Sequence, residues 1–194
     1  LADVLDARWL AAWRGAAVAA VLALLWPRYV ELREAPAVAP REWALAAAAG
    51  LAVFAAWIAF DSGWATFGHE GTGLVPLGPD GRIDVALVAL RAFGMVLVVP
   101  VMEELFWRSF LMRWIDRRDF LAADARRASL GAVALSSALF ALAHTQWFAG
   151  LLAGLAYAWL YRRSGSVRVP ILAHAVTNGA LAAWILATGS WRFW

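Results

Sequence analysis

The chain has 194 residues, 63% of them hydrophobic, with 13 Trp, a formal net charge of +3, no Cys and, among its 17 basic residues, no Lys. Apolar runs long enough to cross hydrocarbon recur along it, which specifies an all-α, polytopic transmembrane helical bundle and excludes an ordinary water-soluble domain. The missing Cys removes disulfides, thiolate nucleophiles and Cys-ligated metals, and the arginines read as juxtamembrane charge, so no nucleic-acid partner is expected.

Hydropathy and loop charge predict about six spans, over residues 10–26, 43–60, 85–112, 129–147, 148–161 and 169–188. The start at Leu1, without Met or a basic leader, reads as that of a fragment with no signal peptide. Arg28, Arg33 and Arg41 fall in one loop, Arg113, Arg117, Arg118, Arg126 and Arg127 in a second, and Arg162, Arg163 and Arg168 in a third. Six spans put these loops on one side of the membrane, which the positive-inside rule makes cytoplasmic, and leave both termini outside. The loop over residues 61–84 carries Asp61, Glu70, Asp80 and Asp84 against Arg82, and His69 within it reads as a solvated side chain. Three segments follow: 1–84 with two helices and this outer loop, 85–188 as a four-helix catalytic core to which the first two spans are peripheral, and 189–194 as a tail.

The third span, VALVALRAFGMVLVVPVMEELFWRSF, holds Glu103 and Glu104 where the chain should be dissolving in lipid. A carboxylate at that depth costs about 3 kcal/mol or more, so it marks a functional site by default. Pro100, just before them, frees a backbone carbonyl and is expected to kink the helix. Glu104 and Arg108 are four residues apart and share a helix face, whereas Glu103 points about 100° away. The spacing predicts a structural ion pair for Glu104 and Arg108 and a chemical role for Glu103. The competing explanation is that both acids neutralise arginines such as Arg91 or Arg113 at a helix end.

Two of the three histidines, His144 and His174, also fall in apolar spans. His144 closes SSALFALAH with Phe140 one turn earlier on the same face, and His174 stands four residues before Asn178, the sole asparagine. One such histidine reads most simply as packing. Two of them, with the deep glutamates and the single asparagine, do not.

The order E-E-x-x-x-R (Glu103, Glu104, Arg108), F-x-x-x-H (Phe140, His144) and H-x-x-x-N (His174, Asn178) resembles the CPBP family, the CAAX protease and bacteriocin-processing group also called Abi. Every motif position is filled. The resemblance covers residues 85–188 and implies a CAAX-protease-like core and intramembrane endopeptidase activity like that of the type II CAAX prenyl endopeptidases. The Trp-rich outer segment WIAFDSGWATF resembles the exosortase-associated, CAAX protease-related subgroup. A bacterial inner membrane is the location implied, and a membrane-anchored or lipidated peptide or protein the substrate class.

Peptide hydrolysis needs a base for water, donors for the oxyanion and an acid for the leaving amine. Glu103 is suited to take the water proton and return it, and His144 to hold the same water. The resemblance implies an oxyanion role for His174 and Asn178. Glu104, Arg108 and Phe140 are supporting residues. No serine or threonine forms a nucleophile motif, and Ser136 and Ser137 read as bonding to helix backbone. Glu103, His144 and His174 also have the composition of a zinc site with two His and one carboxylate, but the H-E-x-x-H signature is absent and metal-free chemistry, without a cofactor, is the expectation.

Counting along the helices, Glu103 lies about 15 Å and His174 about 9 Å from the basic loops, which places the site in the cytoplasmic half. His144 is then too deep, at about 26 Å, unless residues 116–127 form an amphipathic interfacial segment. Gly150 and Gly154 read as a small-residue packing face. A non-catalytic scaffold or bacteriocin self-immunity protein of the same fold is the main alternative function. A proton-coupled transporter is less favoured because no paired repeats appear.

Overall fold

A computed structural model describes residues 7–68, 73 and 75–194, so His69 and Glu70 lie outside the described residues. Its main helices are α1 (Ala7–Leu24), α2 (Pro40–Ala59), α3 (Val85–Asp116), α4 (Leu130–Leu142), α5 (Trp147–Ser164) and α6 (Arg168–Thr188). Among the described residues the sole β feature is an isolated bridge between Leu77 and Ile83. The fold is the all-α bundle that the apolar runs specify. Of these helices, α2, α3 and α6 are long and apolar enough to cross a membrane.

Local chemistry sets several helix ends. The Asp84 carboxylate accepts from the Leu87 N–H and starts α3, and the Ser129 hydroxyl accepts from Ala132 and starts α4, each satisfying a donor with no partner inside the helix. Proline at residue 40 opens α2, where its missing N–H costs nothing. Gly165 closes α5 at φ 70°, and a Cβ there would fall 2.6 Å from the Arg126 guanidinium carbon. Only glycine meets both conditions.

The basic loops gather at one end of the bundle. Arg113 pairs with Glu31 at 3.1 Å, Arg163 with Glu42 at 3.0 Å, and Arg126 donates to the Ser164 carbonyl at 2.6 Å. Arg168 reaches the Leu32 carbonyl. At the opposite end Arg192 pairs with Asp61, the Phe67 N–H donates to the Thr145 carbonyl at 2.8 Å, and the Trp147 indole donates to the Trp64 carbonyl at 2.9 Å. This is the alternation of sides that the arginine distribution requires.

Two expectations change. The fourth span stops at Leu142, short of residue 147, and the next helix starts at Trp147 and reaches Ser164. The intervening turn is fixed from outside, because the Gln146 amide donates to the Trp57 carbonyl at 2.8 Å, at the end of α2. Residues 116–127, expected as an interfacial segment, form two short 3₁₀ turns beyond α3, Phe120–Ala122 and Ala125–Arg127. The Asp116 carboxylate accepts from the backbone and hydroxyl of Ser129, at 2.7 and 2.6 Å, and closes that loop.

The second span is a wall of the core and not a peripheral addition. Ala46 and Val53 of α2 pack with Phe140, Tyr157, Leu160 and Ala173 in one buried cluster. Gly50 lies so close to α6 that an added Cβ would sit 2.9 Å from the Val176 Cβ, and its carbonyl accepts from the Thr177 hydroxyl at 2.8 Å. Gly154 does the same for α4 and α5, where a Cβ would lie 3.0 Å from the Ser137 Cα. The small-residue pair read from the sequence is therefore a helix contact.

Candidate active site

The site is built around an irregular α3. Its course is π-helical over Gly94–Val98 and again over Leu105–Met112, with α-helix between them at Val99–Glu104. In the first π stretch the Val99 N–H donates to the Gly94 carbonyl, five residues back. The next rung would run from residue 100 to the Met95 carbonyl, and Pro100 has no N–H to give. The Asn178 amide takes that place, with Nδ2 2.8 Å from the Met95 oxygen. The sole asparagine thus ties α6 to α3 at the carbonyl that proline leaves open.

One α-turn later the two glutamates separate as their spacing predicts. Glu104 is fully buried: one oxygen is hydrogen bonded to His174 Nδ1 at 3.0 Å, and the other, without a hydrogen-bond partner among the described residues, is ion-paired with Arg108 Nε at 3.2 Å. Arg108, also with no exposed side-chain surface, lies over the Phe140 ring with its guanidinium carbon 4.8 Å from the centroid. A buried cation held by a carboxylate and an aromatic face is stabilised on two sides. Arg113 takes its carboxylate from Glu31, and Arg91 lies over the Trp194 ring at 5.3 Å. Helix-end neutralisation of those two arginines therefore does not account for the glutamates.

Glu103 faces a cavity of about 240 Å³ together with His144, His174, Asn178, Trp57 and Tyr157. Its Oε2 is buried without a hydrogen-bond partner among the described residues. His144, just past the end of α4, has Nδ1 2.7 Å from the Phe140 carbonyl. A carbonyl only accepts, so Nδ1 carries the proton and the neutral ring has its lone pair on Nε2. The Phe140 and Trp57 rings lie 4.5 and 5.5 Å from the imidazole and fix its plane. His174 is set likewise, by Glu104 at Nδ1 and by the Tyr157 ring stacked at 5.1 Å. The Tyr157 hydroxyl is 2.7 Å from that of Thr177, which donates into α2 and so connects three helices behind the histidine.

The structure thus brings Glu103, His144, His174 and Asn178 to one cavity and sets Glu104, Arg108 and Phe140 behind it. Sequence reasoning missed Trp57, Tyr157 and Thr177. Thr177 had a signal, three residues after His174 on the same face, but Trp57 comes from a span outside the motifs. Ser136 bonds to the Val133 carbonyl at 3.2 Å as expected; Ser137 has no hydrogen-bond partner among the described residues and packs on Gly154. The cavity runs from Glu103 and His174 toward Trp57, Leu181 and Phe193, near the end opposite the basic loops. The site therefore extends out of the half in which helix counting put it, and this is how it meets His144.

No three His, Asp or Glu side chains among the described residues converge as metal ligands. Glu103, His144 and His174 share the cavity wall without forming such a set.

A family model described as type II CAAX prenyl endopeptidase Rce1-like matches residues 85–180, the stretch that contains all three motifs. Over these residues the chain matches the Rce1-like family. No curated protein and no solved structure was found to match it. The match runs from the start of α3 into α6, so the Rce1-like segment holds every cavity residue named above except Trp57, Leu181 and Phe193. With three apolar helices of spanning length, this Rce1-like chain is an integral membrane protein of a protease family.

Proposed function

We propose that this chain is an intramembrane endopeptidase that hydrolyses a peptide bond in a membrane-anchored or lipidated substrate by glutamate-activated water. The observation that carries this reading is the contrast between the adjacent acids: Glu104 is held between His174 and the Arg108 cation behind the cavity, whereas Glu103 faces the cavity itself beside two oriented imidazoles. Glu103 takes a proton from water as the water oxygen attacks the carbonyl carbon, and His144 Nε2 holds that water by accepting its other hydrogen. His174 and the second Asn178 N–H stabilise the oxyanion; with Nδ1 facing the Glu104 carboxylate, His174 offers the oxyanion an Nε2–H as the imidazolium. The tetrahedral intermediate collapses as Glu103 returns its proton to the leaving nitrogen, so no acyl-enzyme forms. No step is routed through a metal or cofactor.

By the positive-inside rule the basic end faces the cytoplasm of a bacterial inner membrane and both termini lie outside. The scissile bond then reaches Glu103 from the outer side, along the cavity.

The test is cleavage of a panel of membrane-anchored peptides, prenylated and not, by purified protein, Glu103→Gln and His144→Ala, each with and without a strong chelator. Wild type is expected to cut with chelator present and both variants to lose cutting by at least about a hundredfold. Cleavage by Glu103→Gln at the wild-type rate would overturn the mechanism. Cleavage of no peptide in the panel would favour a scaffold or self-immunity protein of the same fold.

A further inference from the structure

A second cavity, of about 370 Å³, lies between α1 and the outer half of α3. Its walls are Gly15, Val18, Gly94, Val98 and Met102, and Arg14, Arg91 and Trp194 also line it. The wall is apolar apart from the two arginines, and no acidic side chain among the described residues lines it or pairs with either guanidinium. Arg91 lies six residues into α3, about 9 Å below its outer end. A cation at that depth is costly unless something supplies a counter-charge. The Trp194 ring, which the Arg91 guanidinium faces at 5.3 Å, provides polarisable surface but no formal charge.

The surroundings limit what the counter-charge can be. Trp13, Phe93 and Leu97, each about half exposed or more, flank the cavity on the surfaces of α1 and α3. In an integral membrane protein the medium at such a surface is lipid, present in excess over any other ligand. An amphiphile with an anionic head fits both chemical halves of the cavity: oxygen acceptors for the arginines at the outer end and a chain for the apolar wall below.

We propose that this cleft is a binding site for an anionic phospholipid, its phosphate between Arg14 and Arg91 and an acyl chain against Val18, Val98 and Met102. Met95 and Val99 line both this cleft and the cavity that holds Glu103. The lipid therefore lies on the outside of the candidate active-site wall, without entering it. The site stands independently of whether the chain is a protease.

The experiment is native mass spectrometry of the full chain in detergent, titrated separately with phosphatidylglycerol, phosphatidylcholine and inorganic phosphate. Wild type is expected to retain one phosphatidylglycerol at least about tenfold more tightly than phosphatidylcholine, with no measurable uptake of phosphate alone. Arg14→Gln, on an exposed side chain, should weaken phosphatidylglycerol by several fold, and Arg14→Gln/Arg91→Gln should abolish the preference while leaving phosphatidylcholine unchanged. Val18→Trp, which fills the cleft and keeps both charges, should weaken both lipids. Equal retention of the two lipids by wild type, binding of phosphate alone, or an undiminished preference in the double variant would each overturn the proposal.

Discussion

Replacing Asn178 by Ala should destabilise the fold through one specific carbonyl, and the effect should vanish when Pro100 is replaced as well. The Asn178 amide donates at 2.8 Å to the Met95 carbonyl, the acceptor left open because Pro100 has no N–H. Leaving a buried acceptor without a donor costs about 1–3 kcal/mol. Ala at position 100 brings back the N–H that the π register directs to the Met95 carbonyl. Asn178→Ala should then cost below about 0.5 kcal/mol, and the double-mutant cycle should give a coupling of about 1–2 kcal/mol. The cavity left by trimming the proline cancels in the cycle. The assay is reversible unfolding in bicelles or mixed micelles of wild type, both single variants and the double variant, with peptide cleavage measured on the same samples. If Asn178 also acts on the oxyanion, cleavage falls in both backgrounds while the stability cost appears in only one. An equal stability cost in the two backgrounds would refute the assignment of Asn178 to that carbonyl.

Two further substitutions probe the layer behind the cavity and the helix packing. Glu104→Gln leaves the Arg108 cation buried with only aromatic partners and should cost about 3–5 kcal/mol, whereas Glu104→Gln/Arg108→Met removes both charges and should recover most of it; denaturant midpoints of the two variants check this, and an equal loss in both would show that the pair is not the stabilising unit. Gly154→Val puts side-chain atoms where even a Cβ lies 3.0 Å from the Ser137 backbone, so it should lower stability by about 1–3 kcal/mol, read as the loss of monodisperse folded protein on heating, with Gly131→Ala on the open surface of α4 as the neutral control.

The sequence by itself determined the fold class and the pairings along each helix. Composition and apolar runs require a helical membrane bundle, the arginines assign the loop ends, and four-residue spacing pairs Glu104 with Arg108 and sets Phe140 beneath His144. These are one-dimensional properties, because helix periodicity and the cost of charge in lipid act on neighbours along the chain. The tertiary structure decided which partners arrive from elsewhere. It gave Glu104 to His174 as well as to Arg108, bound Asn178 to the carbonyl opened by Pro100, and ended α4 at Leu142 by pulling Gln146 onto the end of α2. Trp57 reaches the cavity because Gly50 lets α2 approach α6 closely. Helix counting set His144 apart from Glu103 and His174 for a related reason: it measures depth along each helix separately, and a cavity shared by helices of opposite direction takes its position from how they are packed.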